Sequence, residues 1–137
     1  TVASAESVID VLARLHQPII VQEYVEESNG SDIRAIVVGD KVVAAMRRKG
    51  KGDDFRSNIH RGGTGEEVEL EEDVKRICID ACKALDLRFA GVDLLESKRG
   101  PLIIEVNSSP GLEGIEGATG VDVAGEVISD LEYLCGL

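Results

Sequence analysis

Two short runs carry residue types able to do chemistry: Ala90-Gly91-Val92-Asp93-Leu94-Leu95 and Leu102-Ile103-Ile104-Glu105-Val106-Asn107-Ser108-Ser109-Pro110-Gly111. Each is an aliphatic, β-branched stretch with an acid or amide set among apolar neighbours. Burying a lone carboxylate is costly, so such a strand implies a partner for it. Lys98-Arg99-Gly100 fits a three-residue hairpin loop closed by a glycine at positive φ, and in that register residue 93 lies opposite residue 105. Alternate residues of a strand share a face, so Asp93, Glu105 and Asn107 project to one side. Two carboxylates and an amide oxygen repel one another there unless a cation sits between them. Hard oxygen ligands, few in number, suit magnesium held jointly with a phosphate. The competing reading is a hairpin with a solvated polar face, which alternation alone would produce. Against it, the second strand runs into Asn107-Ser108-Ser109-Pro110-Gly111, small residues that let backbone approach a ligand.

The elements that must position these residues read as an α/β alternation. Residues 4–15 form a helix with Val8, Leu12 and Leu15 at helical spacing. Pro18 opens a strand over 19–25, and Ser28-Asn29-Gly30-Ser31 is turn chemistry. Strands 32–38 and 41–48 follow, joined tightly by Gly39-Asp40. Residues 49–67 read as one long loop, of a length that is usually functional or mobile. A helix over 71–86 places Glu71, Glu72 and Asp73 in its first turn, where the helix dipole favours them. Its expected buried stripe is Val74, Ile77, Cys78, Ala81 and Leu85. A last helix over 122–135 should turn Val127, Ile128, Leu131 and Leu134 inward. The expected class is α/β (α+β): an antiparallel sheet flanked by helices.

Composition narrows the function. The 137 residues make a single domain, 1–137, and the first residue, Thr1, suggests a piece of a longer protein. No apolar run approaches the ~18–20 residues of a membrane span, and no secretory signal precedes the first helix. Three cysteines without framework spacing fit a reducing compartment, hence a cytoplasmic location. Cys78 and Cys82 share a helix face, and core packing explains them better than zinc, since only His16 and His60 could complete a site. Net charge is −11, yet Lys41, Arg47, Arg48, Lys49, Lys51, Arg56 and Arg61 stand together against Asp53 and Asp54 alone. Such a basic island serves an anion, phosphate first, unless it is a solvated loop balancing neighbouring acids. Nucleic acid is disfavoured by the overall charge and the scarcity of aromatics for base stacking.

The chain resembles the C-terminal half of an ATP-grasp ligase, and within that superfamily the RimK-type glutamate ligases. The matching runs are Val21-Gln22-Glu23-Tyr24, Ser31-Asp32-Ile33-Arg34, Asp54-Phe55-Arg56-Ser57-Asn58, His60-Arg61-Gly62-Gly63, Ala90-Gly91-Val92-Asp93 and the run from Glu105 through Gly117. The last is the most specific, since sibling ligases share its Glu-x-Asn core and diverge beyond it.

The resemblance implies roles for particular residues. Glu23 and Tyr24 would lie on a strand cradling adenine and ribose, and Asp32 on another nucleotide-contacting position. Arg56, Ser57 and Asn58 would line the phosphate side. Asp93, Glu105 and Asn107 would coordinate magnesium, with manganese as a substitute, in agreement with the spacing argument. Arg34 and Arg61, with Arg56, would hold the acyl-phosphate or the amino-acid carboxylate. The family's upstream phosphate-binding lysine, glycine-rich loop and N-terminal domain have no counterpart in this sequence, so the chain alone is expected to be inactive and prone to self-association.

The implied reaction moves the terminal phosphoryl group of ATP to an acceptor carboxylate, and the amine of glutamate then attacks the acyl-phosphate. The implied acceptor is the C-terminus of a small-subunit ribosomal protein, in a homo-oligomeric enzyme with no nucleic-acid or membrane partner. Two alternatives stand beside it. One is a sibling that glutamylates an amino-group carrier protein or a deazaflavin cofactor, against which the Pro110-Gly111-Leu112-Glu113-Gly114 continuation weighs. The other is a nucleotide-sensing module without turnover.

Overall fold

The computed structural model describes residues 1–50 and 64–137. Its strands are β1 (Ser31–Val38), β2 (Lys41–Lys49), β3 (Thr64–Glu67), β4 (Phe89–Ser97) and β5 (Gly100–Asn107). They form one antiparallel sheet in the order β3-β2-β1-β4-β5. Helices α1 (Val2–Arg14), α2 (Glu72–Ala84), α3 (Glu113–Thr119) and α4 (Val123–Cys135) complete the expected α+β class.

The central strand β1 is apolar toward both faces, as a strand covered on two sides must be. Ile33, Ala35 and Val37 pack with Ala45, Ala90, Val92 and Leu94 beneath Cys78 and Cys82 of α2. Ile36 and Val38 turn the other way and join Ala44 and Met46 under Ile115 of α3 and Val123 of α4. Among the described residues, these apolar side chains cover the second face at that end. Its other end carries Asp32, Arg34, Arg48, Asp93, Glu105 and Asn107, the chemistry-bearing set.

Several expectations change in the structure. The buried stripe of α2 runs through Val74, Cys78 and Cys82, whereas Ile77 and Leu85 are exposed. Burial, and then the neighbouring Cys82, pushes the Cys78 thiol up to about 11, so it serves packing rather than reactivity. On α4 only Val123 and Val127 reach the core; Ile128, Leu131 and Leu134 face outward. No strand forms over 19–25, where Ile19, Ile20, Val21 and Tyr24 are exposed. A strand exists only when a neighbouring backbone completes its ladder, and none among the described residues pairs with this run. The long loop contains β3, which pairs Glu67 with Met46 and Thr64 with Lys49.

Candidate functional site

Register brings the candidate residues together, and two bulges set it. The β1–β2 hairpin pairs Val38 with Lys41, and continued unbroken it would set Asp32 against Arg47. A shift between Ile36 and Val37 makes Val43 the extra residue, so Arg48 stands opposite Asp32. The β4–β5 hairpin repeats the device. Ser97 pairs with Gly100 across a two-residue turn, which by itself would oppose Asp93 to Ile104. A shift between Asp93 and Leu94 brings Glu105 opposite Asp93 instead, and Asn107 opposite Gly91. The expected 93–105 pairing is therefore present, through a shorter turn plus a bulge rather than a three-residue loop. Gly100 does take positive φ, +98°.

Across β1 and β4, Arg34 faces Asp93. Arg34 Nε donates to Asp93 Oδ1 at 2.8 Å and Nη2 to Oδ2 at 2.7 Å. Arg48 reaches the same carboxylate, Nη2 to Oδ2 at 2.8 Å, while its fork holds Asp32 by two bonds of 2.6 Å. Acid and base alternate along the row Asp32–Arg48–Asp93–Arg34. Burial alone would lower the Arg48 pKa, but the bonds and charges of Asp32 and Asp93 outweigh it and the pKa is raised. The partner demanded by a buried Asp93 is thus a pair of guanidinium groups.

Glu105 is exposed, and Asn107 Oδ1 accepts from Ser109 N at 2.9 Å. The loop after β5 can lie close over the sheet because Gly91 has no side chain: a Cβ there would meet Pro110 Cβ at 2.9 Å. Among the described residues no three His, Cys, Asp or Glu side chains cluster to hold a metal. Asp93, Glu105 and the Asn107 amide offer hard oxygens on one face, and a divalent ion there would need further oxygens from water or phosphate. That incomplete donor set fits magnesium, which keeps waters and shares phosphate oxygens.

Other candidates lie apart. Glu23 accepts from Arg99 Nη2 at 2.9 Å, and Glu27 from the Lys98 backbone N–H at 3.0 Å, so the 23–27 run rests against the β4–β5 turn. Tyr24 is exposed. Arg56, Ser57, Asn58 and Arg61 lie outside the described residues. The sequence places Arg48 in the basic island expected to serve an anion, whereas the structure sets it between the carboxylates of Asp32 and Asp93. Its signal, Asp32 and Arg48 on adjoining strands, is hidden by the bulge at Val43.

A RimK-like ATP-grasp domain matches residues 1–131. This chain belongs to the RimK-like ATP-grasp family. A relative named "Probable alpha-L-glutamate ligase" from Vibrio cholerae serotype O1 is 54% identical over 132 residues, 96% of this chain and 44% of the relative. "Probable alpha-L-glutamate ligase 1" of Shewanella amazonensis is 56% identical over 129 residues, 94% of this chain and 43% of its own length. The chain thus spans less than half the length of these curated relatives. Among solved structures, the ATP-grasp ligase PsnB complexed with a minimal precursor superposes with a TM-score of 0.66 at 31% identity, covering 82% of this chain and 35% of PsnB. The D-alanine–D-alanine ligase of Bacillus anthracis complexed with ATP covers 91% of this chain and 44% of its own, with a TM-score of 0.65. At 19% identity it shares the ATP-grasp fold alone.

Proposed function

We propose that this RimK-like chain is the metal- and phosphate-handling portion of an ATP-dependent carboxylate–amine ligase that transfers glutamate. The observation that carries the reading is the opposition of Asp93 and Glu105, with Asn107 on the same face and Arg34 bonded to Asp93. The names of the relatives support glutamate as the amine donor. PsnB, complexed in one structure with Mg, ADP and a phosphomimetic precursor variant at 28% identity, supports a magnesium-dependent nucleotide reaction.

A carboxylate does not react with an amine unless its oxygen becomes a better leaving group than hydroxide. Transfer of the γ-phosphoryl group of ATP to the acceptor carboxylate releases ADP and gives an acyl-phosphate. The glutamate amine, having lost its ammonium proton, attacks the acyl carbon, and inorganic phosphate leaves. Asp93, Glu105 and Asn107 would hold magnesium, which would neutralise charge on the phosphoryl oxygens. Arg34 supplies a positive charge at the edge of that region, while Arg56 and Arg61 are proposed as further anion holders. Ser57 and Asn58 are proposed for the phosphate side, and Glu23, Tyr24 and Asp32 for the nucleotide. The PsnB complexes favour a polypeptide acceptor, of which a ribosomal-protein C-terminus is the specific proposal. Full-length protein given ATP, glutamate and candidate acceptors should add glutamate-sized mass increments to one of them. Hydrolysis of ATP with no increment on any glutamate acceptor would overturn the reading.

A further inference from the structure

Three guanidinium bonds converge on one carboxylate, and the two arginines that make them are held differently. Arg48 is locked from behind by Asp32 through both arms of its fork, and its side chain is only 8% exposed. Arg34 is 16% exposed, and among the described residues its guanidinium meets Asp93 alone. A divalent ion arriving at Asp93 adds two positive charges beside these two, in a region where charges interact more strongly than in water. One guanidinium must withdraw. The one with a second carboxylate keeps two of its three bonds without Asp93, yet it has no room to leave, being buried. The other can leave toward solvent at the cost of its two bonds.

We propose that Asp32 and Arg48 form a positioning pair that fixes the Asp93 carboxylate, and that Arg34 is the cation a divalent ion displaces. This rests on the metal reading above. Before the ion arrives, the two arginines hold the Asp93 carboxylate in one orientation inside the fold. On arrival, Arg34 gives up Asp93 and its planar fork is freed at the edge of the site, where it can take two oxygens of an anion. Metal binding and exposure of an anion-binding arginine thereby become one event.

The test follows the arginine Nε–Hε resonances of the full-length protein during titration with Mg2+, alongside calorimetry with Mn2+ alone. The Arg34 resonance should shift and exchange faster with water as metal binds, while that of Arg48 stays in place. Arg34→Met should tighten Mn2+ by about tenfold, since a competing charge is gone. Arg48→Lys keeps the charge but cannot bridge two carboxylates, and should weaken Mn2+ by about tenfold with the fold retained by circular dichroism. Mn2+ that binds, is weakened by Glu105→Gln, and leaves the Arg34 resonance unmoved would overturn the displacement alone. Unchanged affinity in Arg48→Lys would overturn the positioning role. Absence of Mn2+ binding to the wild-type protein would overturn the metal reading, and the displacement with it.

Discussion

The two faces of the sheet bury their residues by different rules. Beneath α2, Ile33, Ala35, Val37, Val92, Leu94, Cys78 and Cys82 make a continuous apolar layer, stabilised by removing hydrocarbon from water. On the opposite face, among the described residues, apolar packing gives way beyond Ile36 and Met46 to the row Asp32–Arg48–Asp93–Arg34. The first kind of burial tolerates any side chain of suitable volume. The second is favourable only while every charge has its partner, so each member depends on the others. A sheet can thus keep its stability on one side and hold an ionic site on the other.

The contrast is broken most directly at Arg48. Arg48→Met should cost about 3–5 kcal/mol in urea unfolding, because it removes the guanidinium that bridges the buried carboxylates of Asp32 and Asp93. Combining it with Asp32→Leu should recover part of that loss, since one of the two carboxylates then goes with its guanidinium. A neutral single variant would show that this end of the face is effectively solvated. On the apolar side, Leu94→Ala should cost about 2–5 kcal/mol through lost burial and a cavity, and no polar substitution elsewhere should rescue it. Rescue by a charge change would erase the distinction between the faces.

The comparison also separates what was legible from what was not. Strands 32–38 and 41–48 and the helix after Glu71 followed from alternation and periodicity; the 93–105 opposition was expected from a three-residue loop, and a two-residue turn plus a bulge gives the same pairing. The ionic row did not, because a bulge sets the Asp32–Arg48 pair and the Arg34–Asp93 pair depends on which distant strand lies beside β1. Counting from Gly39-Asp40 leads to Arg47 opposite Asp32, and only the extra Val43 brings in Arg48. Alternation records which residues share a face along one strand; it carries no trace of a one-residue slip between strands. The 19–25 run fails for another reason. Its Ile, Val and Tyr have strand propensity, but propensity does not supply a neighbour.

Function should follow the polar face and stability the apolar one. On the proposed ligase activity, Glu105→Gln in the full-length protein should lower turnover by at least about 10²-fold, about 2.7 kcal/mol at 1.36 per decade. Because Glu105 is exposed, its unfolding free energy should move by less than about 0.5 kcal/mol. A large stability loss with proportionate loss of activity would make Glu105 a structural residue.

The smallest effect belongs to an ion pair at the rim of the apolar face, where Arg47 donates to Glu96 and lies near Glu66. The hydrogen bond from Arg47 holds the Glu96 carboxyl below its ordinary 4.5. A carboxyl lowered in the folded state contributes stability above its unfolded pKa, and that contribution fades as pH falls through the folded value. Glu96→Gln should therefore destabilise the protein near pH 7, with the difference closing in acid below the folded pKa. The Glu96 side chain is 59% exposed, so water screens the pair and the effect at pH 7 should stay below about 1 kcal/mol. Melting temperatures of the two proteins measured from pH 7 down to pH 3 would read it directly. A difference as large as that at Arg48 would mean that the rim pair, too, behaves as a buried one, and that the division between the faces is drawn in the wrong place.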